Sequence, residues 1–337
     1  MRTTEPYLRP IVIGVAIVAI AYALFQLADV LLLVFGAIVV ASVLLAIAGL
    51  ARRVYPMPES AAYFIALLVF VGVIVGAAWL AGARVGQEIG QLIARLPQAI
   101  EAARRWLVSV PLGNALLDAI KGSTSGALPI GRVAAFTHVT FGAVSALVLI
   151  LLGGIYLAAN PAVYRKGLLR LFPESSKRRV DEALGAAGEK LRQWLLGQIV
   201  LMLAVGVLDG AGLTLLGIPG AIGLALLATL LEFIPLFGPL VFSAIAVLIA
   251  FPQGPQEALY VLILTLAVQQ LENHVLVPLV NRWATSLPPA LAVAAIVAFG
   301  LVFGVPGILF AVPLTIVIVS LVESLYVEGM LHKRPAA

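Results

Sequence analysis

The sequence contains no cysteine. Disulfides, thiolate metal sites and cysteine nucleophiles are therefore excluded together. Histidine is almost as scarce: the 3 residues His138, His274 and His332 lie far apart and show no metal-ligand spacing. Charge is thin as well, at 11% of 337 residues, against roughly 25% in a soluble domain. Between Arg282 and Glu323 there is none. Also missing are His-Glu-x-x-His, Gly-x-Gly-Asp and the phosphate-binding loop Gly-x-x-x-x-Gly-Lys-Ser/Thr. An intramembrane enzyme needs a constellation such as the first two, and ATP-driven transport needs the third. No enzymatic activity, metal or cofactor is expected.

What fills the sequence is apolar: 62% of residues, with a mean hydropathy of +1.12. Lipid leaves helices or closed barrels as the only spanning structures, and apolar runs of this length specify helices, so the chain reads as an all-α multi-pass membrane protein. Its basic excess, 21 Lys and Arg against 16 Asp and Glu, sits mostly in short loops flanking apolar runs. That placement follows the positive-inside rule and points to the bilayer, not to nucleic acid, as the partner. Arg2 and Arg9 before the run from Ile11 resemble the start of a signal peptide. A second apolar run follows almost at once, which favours an uncleaved first span.

Six full spans are expected over Ile11–Ala28, Val30–Ala51, Ala61–Ala83, Val133–Ala159, Leu195–Leu216 and Ala258–Val277. Between the third and fourth, Val85, Ile89, Leu92, Leu96 and Ile100 recur at helical spacing among polar residues. That outer segment reads as amphipathic helix at the interface, with a cap over a pathway as the alternative. After the fourth span, Arg165, Lys166, Arg170, Lys177, Arg178, Arg179, Lys190 and Arg192 form the densest basic run. In it Pro173-Glu174-Ser175-Ser176 signals a helix start, and the segment is expected to end near Trp194 at the interface.

Two further apolar stretches are too long for one crossing. Pro219–Phe251 is interrupted at Ile234-Pro235-Leu236-Phe237-Gly238-Pro239, and Leu287–Val327 at Gly304-Val305-Pro306-Gly307. A straight helix from Arg282 to Glu323 would run about 60 Å, twice the roughly 30 Å hydrocarbon core. Both stretches therefore read as helical hairpins, crossing or re-entrant, which brings the helix count to eight or more. Gly217-Ile218-Pro219-Gly220 echoes the second break, and a true repeat would pair the two hairpins. Crossings come out even, so both termini are expected in the cytoplasm with the chain in the cell membrane. The expected organisation is one integrated membrane domain over 1–337: three spans in 1–83, the outer segment in 84–132, the fourth span and basic loop in 133–194, the hairpin-bearing region in 195–327 and a tail in 328–337.

A carboxylate at the bilayer centre costs on the order of 3 kcal/mol, so Asp209, Glu232 and Glu272 must be paired, protonated or facing water. Glu232 precedes Pro235, and Pro235 and Pro239 lack the N–H groups that would bond the carbonyls of Leu231 and Pro235 in a continuous helix. Freed carbonyls beside a carboxylate suit a cation or a hydroxyl; the plainer reading is a helix-end residue reaching headgroups. Gln269 and Glu272 share one helical face, with Gln270, Asn273 and His274 beside it. This stripe either contacts a solute or proton, or caps the helix before Pro278. Gln198 and Asp209 lie within about 20° of one face and roughly 16 Å apart along the axis. Gly206, Gly210 and Gly212 around Asp209 also fit a simple polar tie between closely packed helices. His138 and Glu323 read as interfacial. A buried carboxylate that exchanges protons, Glu232 or Asp209, would couple transport to a proton gradient.

Several of these segments together resemble the AI-2E family of transporters, named for export of autoinducer-2. They are Leu196-Gly197-Gln198, Ile234-Pro235-x-x-Gly238-Pro239, the run from Leu271-Glu272-Asn273-His274 to Pro278, Leu287-Pro288-Pro289, and Phe303-Gly304-x-x-Gly307 followed by Ala311-Val312-Pro313. The chain departs from the pattern at Leu236, where an aromatic residue more often follows Ile-Pro. The resemblance implies a homo-oligomer, a pentamer with a path in each protomer, whose hairpin-bearing part moves against a fixed scaffold. It also implies secondary export of a small polar solute such as an autoinducer-2-like signal. The alternatives are a sodium or lithium/proton antiporter and a non-transporting membrane scaffold. The expected pathway residues are Gln198, Asp209, Glu232, Pro235, Gly238, Pro239, Gln269, Glu272 and Asn273, with Gly304, Pro306 and Gly307 as the second break.

Overall fold

The computed structural model describes residues 27–80, 97–102, 104–106, 108, 136–285 and 287–326. Ten helices are numbered here in chain order: α1 (Ala28–Val54), α2 (Glu59–Leu80), α3 (Phe136–Ala159), α4 (Pro161–Leu169), α5 (Glu174–Leu215), α6 (Ala221–Leu231), α7 (Phe237–Ala250), α8 (Pro255–Leu271), α9 (Val277–Asn281) and α10 (Pro289–Val322). No strand occurs among the described residues, so the all-α fold is as the apolar runs specify. Among those residues 4 helices are long and apolar enough to cross a membrane, or 5 if α3 and α4 count as one bent span. The expected first span Ile11–Ala28, most of the outer segment, the side chain of His138 and the tail with Lys333 and Arg334 lie outside the described residues.

Small residues let α1 and α3 approach closely. A Cβ on Gly154 would stand 2.5 Å from Val40, one on Gly153 would stand 3.0 Å from Ala37, and one on Gly36 would stand 2.9 Å from Ile150. The other face of α1 carries Leu32, Phe35 and Val39 into a core shared with Leu191, Trp194 and Leu195 of α5 and Ile296, Phe310, Ala311 and Ile316 of α10. A second core gathers the far end of α5, α6, α7 and α8 around Leu213, Leu224, Phe242, Ala246 and Val261. Helix α5 joins the two, which makes it the axis on which the hairpins are mounted.

α5 corrects one expectation. The boundary drawn at Trp194 is absent: one helix of 42 residues runs from Glu174 to Leu215, about 63 Å long and so far longer than the bilayer is thick. Its basic half stays helical because neighbouring charges are matched along it, Lys177 with Glu174, Arg178 with Glu182 and Arg192 with Glu189. The same arm receives the end of α10 through Lys190–Glu323 at 2.7 Å and through Arg179, which donates to the Leu325 carbonyl.

Both breaks are real chain reversals. In an unbroken helix Phe299 and Gly307 would be about 12 Å apart along the axis; instead a Cβ on Gly307 would collide with the Phe299 carbonyl, because Gly304 turns the chain at φ 65°, ψ −145°. The other hairpin joins α6 and α7, of 11 and 14 residues. At about 17 and 21 Å, both arms are shorter than the hydrocarbon core of about 30 Å. In the G-x-P-G echo, Gly217, at φ 67°, turns α5 into α6 as Gly304, at φ 65°, turns the arms of α10.

The conformation of Gly304 is open in practice only to glycine. Gly304→Ala is expected to lower stability by about 1–3 kcal/mol, whereas Gly72→Ala, on α2 with no atom near the added methyl, should leave it unchanged or slightly higher. Thermal unfolding of both variants in detergent checks the contrast.

Candidate functional site

The buried face of α5 reads Leu191, Trp194, Leu195, Gln198, Leu201, Val205, Asp209 and Leu213, an apolar helical stripe interrupted by Gln198 and Asp209. Such polar residues persist in lipid where something meets them. Gln198 meets the α6–α7 break: its Nε2 donates to the Glu232 carbonyl at 2.6 Å, satisfying an acceptor left open at the end of α6. One turn away, the Trp194 ring stands edge-on to Phe233, centroids 6.0 Å apart. These two contacts fix the break against α5.

The break itself is tighter than expected. The carbonyls of Leu231 and Pro235, anticipated as free, accept bonds from the amides of Ile234 at 3.0 Å and Phe237 at 2.9 Å, while Ile234 accepts from Gly238 at 2.8 Å. Buried peptide groups close on one another when no water is at hand. The Pro235–Phe237 bond makes a γ-turn with Leu236 at φ 71°, ψ −48°, a strained conformation for a residue with a Cβ. Gly238 permits the closure, since a Cβ there would run into the Leu231 carbonyl. Its part is thus in shaping the turn; it does not line the cavity below.

Facing the break, α8 passes into a π-turn, Glu272–Leu276, in which Val277 donates to the Glu272 carbonyl. Pro278 is the cause, as its ring excludes the α-helical bond to His274. Together α5, the break, the π-turn and the start of α10 enclose a cavity of about 530 Å³. Gln198, Glu232, Pro235, Pro239, Gln269, Glu272 and Asn273 line it, so most of the expected pathway residues converge. Asp209 lines a narrow extension of about 10 Å³ with Glu232, Gln269, Glu272 and Thr265, room for about one water molecule. Gly304, Pro306 and Gly307 line neither space. His274 is exposed, its Nδ1 3.0 Å from the Gln270 carbonyl, and stays outside.

The carboxylates differ in their surroundings. Asp209 and Glu232 are each 2% exposed. Glu232 and Glu272 stand together in the wall of both the cavity and its extension, and two carboxyls bond each other only by sharing a proton. Asp209 Oδ1 is buried with no partner among the described residues, and Asp209 shares the narrow extension with the other two acids. Sequence reasoning missed Trp194, Asn281 and Thr285 as lining residues. Thr285 bonds Gln193 at 3.1 Å, and the signal available was the four-residue recurrence of Asn273, Val277, Asn281 and Thr285 across Pro278. Gln198→Leu leaves the Glu232 carbonyl without its side-chain donor and is expected to cost about 1–3 kcal/mol, read as earlier thermal unfolding than in the conservative Gln198→Asn.

Comparison with known proteins adds identity to this geometry. A protein of Mycobacterium tuberculosis (strain CDC 1551 / Oshkosh) that carries a transport-protein name is 35% identical over 247 residues, covering 67% of this chain and 66% of that one. YrrI of Bacillus subtilis (strain 168), also named for transport, is 28% identical over 48% of this chain and 46% of its own. YueF of the same organism is 29% identical over 47% and 40%. The matches thus span between two fifths and two thirds of these relatives. The family model described as AI-2E family transporter matches residues 11–326, nearly the entire chain including both breaks and the cavity between them: the chain belongs to the AI-2E transporter family.

Proposed function

We propose that the protein exports a small polar solute through the cavity, coupled to protons by the Glu232–Glu272 pair. The observation that carries this reading is the pair of buried carboxyls, Glu232 and Glu272, in the wall of one cavity of about 530 Å³, a volume within the 300–1,000 Å³ usual for small-molecule sites. Ionisable groups retained at membrane depth at a cost of a few kcal/mol mark pathways and proton relays. A pair that holds one proton between two oxygens can release it to one side and regain it from the other. Around it Gln198, Gln269, Asn273, Asn281 and Thr285 supply donors and acceptors suited to a hydroxylated molecule, such as the autoinducer-2-like signal of the family name. The relatives named for transport support the class of activity. Residence in the cell membrane with cytoplasmic termini, and a pentameric assembly with one path per protomer, belong to the same proposal.

A second reading, monovalent cation/proton antiport, is favoured by Asp209 Oδ1, which is buried without a partner among the described residues and beside the other two acids. The two readings separate in proteoliposomes. Under solute export, a pH gradient drives uptake of a hydroxylated solute and sodium or lithium has no effect; under antiport, those ions dissipate the gradient with no solute present.

Glu232→Gln is expected to abolish the gradient-driven component, at least tenfold below wild type, while passive equilibration of the solute remains. Flux measured with and without a pH gradient provides the check. Unchanged coupling removes Glu232 from the mechanism.

A further inference from the structure

We propose that α4 lies in the plane of the membrane surface and binds the headgroups of anionic phospholipids. The first support is direction. The chain bends by 87° between Ser145–Ala159 and Pro161–Leu169, so if α3 crosses the bilayer, α4 runs along its surface. Asn160 and Pro161 make the corner, with proline at the first helical positions, where its missing N–H costs nothing.

The second support is the distribution of side chains. At 100° per residue, Tyr164, Leu168 and the following Leu171 share one side of α4, whereas Lys166 and Arg170 stand on the opposite side. No residue of α4 is buried; along the stripe Tyr164 is 47% exposed, Leu168 43% and Leu171 77%. A merely solvated basic loop would hold that apolar stripe in water. An in-plane helix buries it among the upper acyl chains and keeps its cations at headgroup level. Tyr156 on the last turn of α3, also exposed, is placed where interfacial tyrosines collect.

The third support is charge left over. The acids near α4 are already engaged: Asp181 takes Arg165, Glu174 takes Lys177 and Glu182 is 3.7 Å from Arg178. Arg165 also donates to the Asp181 carbonyl at 2.7 Å, which holds α4 against the arm of α5. Lys166 and Arg170 have no acidic partner among the described residues, and lie one helical turn apart. A phosphodiester is the anion a membrane surface offers to such a pair. The inference does not depend on what the cavity carries.

Purified protein in mixed micelles containing equal amounts of phosphatidylglycerol and phosphatidylcholine, examined by native mass spectrometry, tests it. Wild type is expected to retain phosphatidylglycerol preferentially, and Lys166→Gln with Arg170→Gln to lower that retention on the order of tenfold. Arg282→Gln, a cation away from α4, should not. Equal retention of the two lipids by wild type, or no change in the double variant, overturns the proposal. Since the chain has no cysteine, Leu168→Cys and Lys166→Cys each carry a single environment-sensitive fluorophore in lipid nanodiscs, which keeps the test decisive if the double variant folds poorly. Lipid-borne quenchers should reach the label at 168 and water-borne quenchers the one at 166. Water-borne quenching of both means that the helix stands clear of the membrane, on a soluble partner or none, and refutes the assignment.

Discussion

In a bilayer every peptide group must find its partner within the protein, and the rest of this structure follows from how the chain meets that demand where its helices stop. At the α6–α7 break the amides of Ile234, Phe237 and Gly238 close on carbonyls within the turn, and Gln198 reaches from α5 to take the remaining Glu232 carbonyl. Without that donor, the end of α6 would be held against α5 by apolar contacts such as Trp194–Phe233 alone. With it, the Glu232 side chain is brought opposite the π-turn of α8, and the acids meet in a place that the hydrophobic effect alone would never assemble.

The division of labour between helices follows from the same requirement. Helices α1, α3 and the far arm of α10 are joined through glycines and apolar side chains and contain no break that water or solute would need to fill. The breaks are concentrated in the α6–α7 hairpin, in the α8 π-turn and at Gly304. Two of the three face one cavity. Strain at Leu236 is stored at its rim, where a change of turn conformation would alter the opening most directly. The ion pair between Lys190 and Glu323 ties the second hairpin to the α5 arm, so movement of that hairpin must carry or break it.

Much of this was legible in the sequence because lipid imposes simple rules. Run length located the helices, and proline with glycine located the reversals. The rarity of charge singled out Asp209, Glu232 and Glu272, all of which meet at the cavity or its extension. Other features depended on partners distant in the chain. The Leu231 carbonyl is met by an i+3 bond from Ile234 and the Pro235 carbonyl by a γ-turn that no propensity favours. Asp209 looked like a polar tie among glycines because only the folded chain sets it beside acids from α6 and α8. The division at Trp194 failed because hydropathy changes there while the backbone does not; ion pairs between neighbouring turns carry the helix through.

The proposed transport requires that the space between Gln198, Glu232 and Asn273 be a hydrated path inside an otherwise lipid-facing bundle. Thiol accessibility measures this directly in a chain without cysteine. Asn273→Cys and Thr285→Cys, each alone in proteoliposomes, should react with a membrane-impermeant thiol reagent and be protected by the transported solute, while Val207→Cys on the outward face of α5 should be inert. If the cavity positions are as unreactive as Val207→Cys, no aqueous path exists there and the account is contradicted.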